Sequence, residues 1–321
     1  MKIFRIFCIS LMILTISLSM GLAKNKPEVR MAYLQNDIHH LALWVAMEKG
    51  FFEEENVKID VVGAFKAGPE IMSAYSAGAL DMAYVGEAPA TTAVANKATD
   101  AVVVAQVNTE GSALVIKRDE AEIEAIQDLI GKTVAVPGHS TVQDFLLRKG
   151  LTKAGVEPQK VNIIVLKPPE MITSLQSEQI HAFIAWEPYP SQAITRGVGQ
   201  NLATSQTMWP EHPCCVLTAA QNFLQDYPNV VKGVIQAHLK GTAYINQHPK
   251  EAAAIGVEYT GMKKSTVRRA MKAVNYTPNL SIIGEKEYVN FLSEFGYINI
   301  KDTESFIQDF INPSLLNSVI E

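Results

Sequence analysis

The sequence has little cysteine. Cysteine occurs at three positions in 321 residues, and Cys214 and Cys215 are neighbours, which can form only a strained disulfide. The fold is therefore not one stapled by disulfides, and no second Cys or His pair stands at zinc-ligand spacing. His212 and Cys214 could be soft metal ligands, but the sequence shows no third ligand. We expect two small buried thiols on a strand, with no metal and no cofactor.

The chain also lacks a basic tract and the common catalytic motifs. The formal net charge is −5, and no cluster of Lys or Arg of the kind that tracks phosphates occurs, so we expect no nucleic-acid partner. The sequence contains no Gly-x-Ser-x-Gly, Walker-type phosphate loop, His-Glu-x-x-His run or dinucleotide-binding glycine pattern after a strand. The hydrophobic fraction of 48% indicates ordinary globular packing.

One long apolar run is present, at the start of the chain. Lys2 and Arg5 precede an apolar segment over 6–20, and small residues over 21–23 come before a polar Lys24. This order is typical of a secretory signal peptide, and the run is short for a membrane span of about 20 residues. We predict that residues 1–23 are a signal peptide and that the mature protein is exported to the periplasm.

Strand-like and helix-like segments alternate along the rest of the chain. Strands are predicted over 29–34, 57–62, 79–85, 102–107, 133–136, 161–166, 181–186 and 214–219. Helices are predicted between them, and four more begin near residues 229, 249, 264 and 285. This spacing predicts βαβ units with parallel sheets. The inferred architecture is α/β with two lobes, the second enclosed by the first in the sequence.

Two loops stand out because each follows a predicted strand and opens a helix. Gly86, Glu87 and Ala88 follow one strand, and Pro89 suits a first helical turn. Ser140 and Thr141 follow another, and Gln143 stands three residues after Ser140. This spacing predicts that Ser140 caps the helix and that Thr141 contacts a ligand. Helix amino termini at strand ends are favourable places for an anion.

Four segments resemble a known family of binding proteins. They are ALWVAMEKGFFEEENVKIDVV, AGPEIMSAYSAGALDMAYVGEAPA, DLIGKTVAVPGHSTVQDFLL and HAFIAWEPYPSQA. In order and content they resemble the periplasmic binding proteins of the nitrate, taurine, aliphatic sulfonate and bicarbonate ABC importers, over residues 28–275. The thiamine-precursor binding proteins share this core. The resemblance implies the two-lobe periplasmic binding protein fold of type II, with a hinge of two crossing strands.

The resemblance also implies a domain layout, partners and a site. Lobe 1 would comprise residues 24–112 and 214–321, and lobe 2 would comprise 113–213. The partners would be a small-molecule ligand and a membrane permease, and we expect a monomer. The ligand-binding residues it implies are Gln35, Asn36, His39, Gly86, Glu87, Ala88, Ser112, Ser140, Thr141, Trp186 and Glu187.

The ligand stays open at this point. The GEAP motif at Glu87 is closest to the sulfonate and taurine branch, although a carboxylate would repel an anion unless it bonds an amine or lies outside the pocket. Nitrate and bicarbonate are alternatives. A pyrimidine is another alternative, because His39 and Trp186 could both contact an aromatic ring of the ligand. Since His39 and His40 are adjacent on a helix, at most one of them is expected to face the cleft. An enzyme on the same fold is an alternative of another class, which the signal peptide argues against.

Overall fold

The fold contains two mixed β-sheets. A computed structural model describes residues 28–320, so the predicted signal peptide lies outside the described residues. The strands of the first sheet are β1 (Glu28–Leu34), β2 (Lys58–Phe65), β3 (Met82–Gly86), β4 (Val102–Glu110), β10 (Pro213–Ala219) and β11 (Val274–Tyr276). The strands of the second sheet are β5 (Ser112–Lys117), β6 (Thr133–Val136), β7 (Asn162–Val165), β8 (Ala182–Trp186) and β9 (Gly199–Thr204).

Helices cover both sheets. They are α1 (Leu41–Glu48), α2 (Phe51–Glu54), α3 (Gly68–Ser76), α4 (Glu87–Ala95), α5 (Val142–Lys153), α6 (Pro168–Gln176), α7 (Tyr189–Thr195), α8 (Ser205–Met208), α9 (Gln221–Asp226), α10 (Pro228–Gln247), α11 (Pro249–Thr260), α12 (Lys264–Met271), α13 (Ile282–Glu294), α14 (Thr303–Phe310) and α15 (Pro313–Ile320). Short 3₁₀ helices cover Ile38–His40, Ile126–Leu129 and Pro158–Lys160. No helix in the described part of the chain is long and apolar enough to cross a membrane.

The order of the strands explains which of them are buried. The first sheet runs β11-β4-β10-β3-β1-β2 and the second runs β7-β6-β8-β5-β9. Every residue of β3 and of β8 is buried, as expected for inner strands covered on both faces. β2 alternates between exposed and half-buried positions because it lies at the edge of its sheet.

The parallel pairing predicted from the βαβ units holds for only part of each sheet. β1 pairs in parallel with β2 and β3, and β6 pairs in parallel with β7 and β8. β10, however, is antiparallel to both β3 and β4, and β5 is antiparallel to both β8 and β9. These two strands follow the passages between the sheets, so they enter each sheet from the end at which the parallel strands leave it.

The chain passes from the first sheet to the second at Gly111. This residue separates β4 from β5 and has φ of +90°, a conformation that favours glycine. A Cβ at this position would lie 2.2 Å from Nε2 of His39, so only glycine lets the backbone pass this close to the histidine ring. The return passage runs from α8 to β10. The division into lobes at 24–112 with 214–321 and 113–213 stays a prediction, with the strands of the second sheet all lying between residues 112 and 204.

Candidate functional site

A small cavity lies between the two sheets, where β1, β3 and β8 end. We call it the cleft cavity, and it has room for about one water molecule. Its lining comes from both sheets and their helices. The residues are Leu34, Asp37, His39, Gly68, Gly86, Pro89, Thr141, Val142, Gln143, Trp186, Cys214 and Cys215.

Two helix amino termini face each other across the cleft cavity. α4 begins directly after β3, with Gly86 as its N-cap, and α5 begins after β6, with Thr141 as its N-cap. A Cβ added to Gly86 would lie 3.3 Å from Cγ2 of Val142, which measures how closely the two starts approach. The first amides of a helix have no partner within the helix and carry a partial positive charge. The cavity therefore lies where two such ends converge.

The cap of α5 differs from the sequence prediction. Thr141, not Ser140, is the N-cap, and its Oγ1 accepts a hydrogen bond from the amide of Asp144 at 3.2 Å and donates one to the carbonyl of Gly138 at 2.7 Å. The Asp144 carboxylate accepts the amide of Ser140, the residue before the cap, at 3.0 Å, so it ties down the loop that enters the helix. Ser140 itself has φ of +55°. The cap therefore lies one residue later than the spacing of Ser140 and Gln143 predicted.

A cluster of titratable side chains forms one wall of the cleft cavity. Nδ1 of His39 lies 3.6 Å from Sγ of Cys214, 3.6 Å from Sγ of Cys215 and 3.3 Å from Oδ1 of Asp37. All four residues are buried. Nε2 of His39 donates to the carbonyl of Gly111 at 2.9 Å, which anchors the ring to the passage between the sheets.

Burial and neighbouring charges shift the pKa values in this cluster. Burial raises the pKa of Asp37 to about 7. Burial alone would lower the pKa of His39, but the Asp37 carboxylate and the Cys214 thiolate raise it to about 9. Burial opposes ionisation of the Cys214 thiol, yet the hydrogen bond from Cys215 and the charge on His39 hold its pKa well below the ordinary value. The cluster therefore favours an imidazolium beside a thiolate.

Trp186 on β8 and Gln143 on α5 form the opposite wall. Trp186 is the last residue of β8 and is 3% exposed, and its indole Nε1 has no hydrogen-bond partner among the described residues. Nε2 of Gln143 donates to Oγ of Ser112 at 3.0 Å. The indole N–H is thus a free donor beside the cavity.

Glu87 points away from the cleft cavity into the first lobe. Its Oε2 accepts a hydrogen bond from Nε2 of Gln106 at 3.2 Å, and its carboxyl group lies against that of Glu285 on α13. Burial raises the pKa of Glu87 to about 7, and burial together with the neighbouring Glu87 raises that of Glu285 well above its ordinary value. Oε1 of Glu285 accepts from Thr91, and a proton shared with Glu87 would satisfy its second oxygen, which has no other partner in the described structure.

The predicted site residues divide into two groups. His39, Gly86, Thr141 and Trp186 line the cleft cavity. The residues that do not line it are Gln35, Asn36, Glu87, Ala88, Ser112, Ser140 and Glu187. Their assignment as ligand-binding residues, like that of the first group, stays a prediction.

The residues outside the cavity differ in their surroundings. Gln35 is exposed, and its carbonyl accepts a hydrogen bond from the hydroxyl of Tyr189 at 3.4 Å. Glu187 and Ser112 line a larger open hollow on another side of the passage between the sheets. Burial raises the pKa of Glu187 to about 7, although its Oε2 accepts the amide of Ser191 at 3.0 Å.

The two lobes contact each other directly at several points. The amide of Ile38 donates to the carbonyl of Glu187 at 3.2 Å, and Nζ of Lys149 lies 2.6 Å from a carboxylate oxygen of Glu287. Lys167 on α6 forms an ion pair with Glu70 on α3. With the lobes in contact the cavity has room for about one water molecule, so a larger solute requires the lobes to lie further apart.

Sequence reasoning missed three prominent lining residues. Asp37 is not among the predicted site residues, and Cys214 and Cys215 are predicted only as two small buried thiols on a strand. One signal was available for Asp37: it stands two residues before His39, so a short turn after the strand could place both side chains in the same site. The position of the two cysteines depends on the antiparallel pairing of β10, which no local pattern reveals.

The fold is that of the periplasmic binding proteins, and comparison with known proteins shows the family. A model of the NMT1-like family matches residues 22–258, and the chain belongs to that family. The two-lobe fold and the resemblance predicted from the sequence are thereby confirmed. A relative in Brucella abortus, described only as a binding protein, is 26% identical over 270 residues, which cover 84% of this chain and 82% of the relative.

Two solved structures illustrate the fold. The alkanesulfonate-binding protein of Xanthomonas axonopodis pv. citri, bound to MOPS, matches with a TM-score of 0.77 at 18% identity over 89% of this chain and 98% of that chain. The periplasmic nitrate-binding protein of Synechocystis PCC 6803 matches with a TM-score of 0.79 at 17% identity over 91% of this chain and 88% of that chain.

Proposed function

We propose that the protein is the exported solute-binding component of an ABC importer, which captures a small sulfonate between its lobes and delivers it unchanged to a membrane permease. The observation that carries the proposal is the pair of helix amino termini, α4 from one lobe and α5 from the other, that face one cavity. The solved sulfonate- and nitrate-binding proteins that share this fold support the ligand class.

The chemistry of the lining suits an anion held without a counter-charge from a side chain. Among the described residues that line the cleft cavity, none is Lys or Arg. Sulfonate oxygens would accept hydrogen bonds from the first amides of α4 and α5 and from the indole N–H of Trp186. Oδ2 of Asp37 has no hydrogen-bond partner in the described structure and would pair with an ammonium group. The site therefore favours a zwitterionic aminosulfonate such as taurine.

Nitrate is the second candidate, because of the size of the cavity. The space between the closed lobes holds about one water molecule, which is closer to the size of nitrate than to that of an alkanesulfonate. The two candidate ligands differ in whether they interact with Asp37. An ammonium group needs the carboxylate, whereas nitrate gains nothing from it.

A binding panel tests the proposal. Taurine, ethanesulfonate, nitrate and bicarbonate are titrated into the mature protein by calorimetry and in melting experiments. A ligand at 100 times its dissociation constant should stabilise the fold by about 2.7 kcal/mol. Trp186→Phe should weaken sulfonate binding about fivefold because one hydrogen bond of about 1 kcal/mol is lost. Trp209→Phe is the matched control, because Trp209 does not line the cavity.

Two results would contradict the proposal. One is that no panel member binds and that protein purified from the exported fraction carries no small molecule detectable by mass spectrometry. The other is that a bound solute leaves the protein chemically changed, which would favour an enzyme on the same fold.

A further inference from the structure

We propose that His39, Cys214 and Cys215 form a binding site for one thiophilic metal cation, of the class of Cu(I) and Zn²⁺. The two sulfur atoms lie 3.9 Å apart, and each lies 3.6 Å from Nδ1 of His39. The cysteines are free thiols, and all three side chains are buried. Imidazole nitrogen and thiolate sulfur are the donors that such cations prefer.

The distances fit the edges of a tetrahedral site. Zn–S bonds of about 2.3 Å and Zn–N bonds of about 2.0–2.1 Å place two sulfurs about 3.8 Å apart and a nitrogen about 3.6 Å from each sulfur. The observed separations of 3.9 Å and 3.6 Å agree with these values. The three ligand atoms therefore need little movement to bind one ion.

The orientation of His39 is fixed by the chain that links the lobes. Nε2 donates to the carbonyl of Gly111 at 2.9 Å, which leaves Nδ1 to face the two sulfurs. Histidines that bind metals commonly donate their other ring N–H to a carbonyl or carboxylate, which sets the tautomer. Gly111 has φ of +90°, and a Cβ there would lie 2.2 Å from Nε2. The passage between the lobes thus holds the ring for binding.

The strand that carries the cysteines is distorted at these residues. Neighbouring side chains on a regular strand point to opposite faces, yet both sulfurs reach the same histidine nitrogen. The pairing of β10 with β4 shifts register between Pro213 and Cys215 and again between Cys215 and Val216. A bulge of this kind re-aims side chains, and here it brings two adjacent thiols to one point.

Two buried polar atoms beside the three ligand atoms, Oδ2 of Asp37 and Nε2 of His40, lie 3.8 Å from each other. Neither atom has a hydrogen-bond partner in the described part of the chain. Oδ1 of Asp37 lies 3.3 Å from Nδ1 of His39, and the cleft cavity opens on the same side. Three protein ligands leave a fourth position for Asp37, water or a solute.

The metal site shares the cleft cavity with the proposed sulfonate site but does not rest on it. A cation would bind to the wall formed by the first lobe, whereas the sulfonate is assigned to the helix amino termini. Binding of each is measured without the other, so the two proposals can fail separately.

The test uses reduced mature protein treated with a chelator and then dialysed. Zn²⁺ and Cu(I) are each titrated in competition with a chromophoric chelator, and native mass spectrometry counts the bound ions. We expect one ion per chain. Cys214→Ser, Cys215→Ser and His39→Gln should each lower the affinity more than 100-fold, since even loss of a hydrogen-bond partner behind a ligand typically costs 10- to 100-fold. His248→Gln is the control, because that histidine is half exposed and outside the cluster.

Absorption spectra with Co²⁺ separate metal binding by the cysteines from a purely structural role of these residues. Wild type should show the intense absorption of cobalt–thiolate charge transfer, and Cys215→Ser should show it at reduced intensity while keeping the wild-type circular dichroism. The proposal is overturned if wild type binds neither Zn²⁺ nor Cu(I) at equimolar concentration. It is equally overturned if the folded cysteine variants bind them as tightly as wild type does.

Discussion

Replacing Glu285 with glutamine should make the protein more stable above neutral pH. Glu285 and Glu87 are buried against each other, and burial raises the pKa of Glu87 to about 7 from an ordinary 4.5. A carboxyl whose pKa is raised by folding contributes stability that is complete below pH 4.5. That contribution is lost as the pH rises through about 7, because the unfolded state releases the proton from about pH 4.5, whereas the folded state either retains it or carries a buried charge.

The magnitude follows from the difference between the folded and unfolded pKa values. For Glu87 that difference corresponds to roughly 3 kcal/mol of unfolding free energy lost between about pH 4.5 and the alkaline side of pH 7. In Glu285→Gln, the amide oxygen can still accept from Thr91 and the amide N–H can donate to an ionised Glu87. The variant should therefore exceed wild type by about 1–3 kcal/mol at pH 8 and match it at pH 5.

Chemical denaturation of both proteins at pH 5 and pH 8 measures this effect. Because the comparison is made between two proteins at each pH, the titration of buried histidines cancels. Glu294→Gln is the control, since it removes an exposed carboxyl from the same helix. The reasoning is refuted if the variant and wild type differ by the same amount at both pH values.

Two further predictions concern the passage between the lobes and the start of α5. Gly111→Ala should lower the unfolding free energy by more than about 1 kcal/mol. The reason is that φ is +90° and that the new Cβ would lie 2.2 Å from the His39 ring and 2.8 Å from Val274. A melting curve equal to that of wild type would contradict this prediction. Thr141→Val should cost about 1 kcal/mol of stability through loss of the cap, whereas Ser140→Ala should cost less than about 0.5 kcal/mol. If urea denaturation gives the opposite order of stability, the assignment of Thr141 as the cap is refuted.

Local patterns predicted most elements of the fold. The strand at Thr133–Val136 was predicted with the observed bounds, and the predicted helix starts near residues 249 and 264 coincide with Pro249 and Lys264. These segments have apolar runs or capping residues that act over a few neighbours. β9 (Gly199–Thr204) was not predicted, because its sequence GQNLAT contains little apolar character and lies at the edge of its sheet.

The candidate site was predicted less completely, for a physical reason. Gly86 and Trp186 are the last residues of buried strands. Because ligands of α/β sheets bind at strand ends, both residues could be predicted as site residues. Cys214 and Cys215 reach the same place only because β10 runs antiparallel to β3, which pairs Cys215 with Gly86. That pairing joins residues more than a hundred positions apart, and no local propensity encodes it.

The helix cap shows how a one-residue error arises. Ser140 followed by Gln143 and Thr141 followed by Asp144 both have the spacing of a capping box, so the sequence offers two registers. The structure adopts the second, with Ser140 in the left-handed region before the cap. The choice depends on the loop that enters the helix rather than on the helix itself.

The central claim, that a solute is captured between two lobes that close on it, is tested most directly by small-angle X-ray scattering. The mature protein is measured alone and with the most tightly bound member of the sulfonate and nitrate panel, at about 100 times its dissociation constant. The account predicts a smaller radius of gyration with the solute, because the passages at Gly111 and between α8 and β10 act as a hinge. A radius of gyration that stays the same while calorimetry shows saturation would contradict capture by closure.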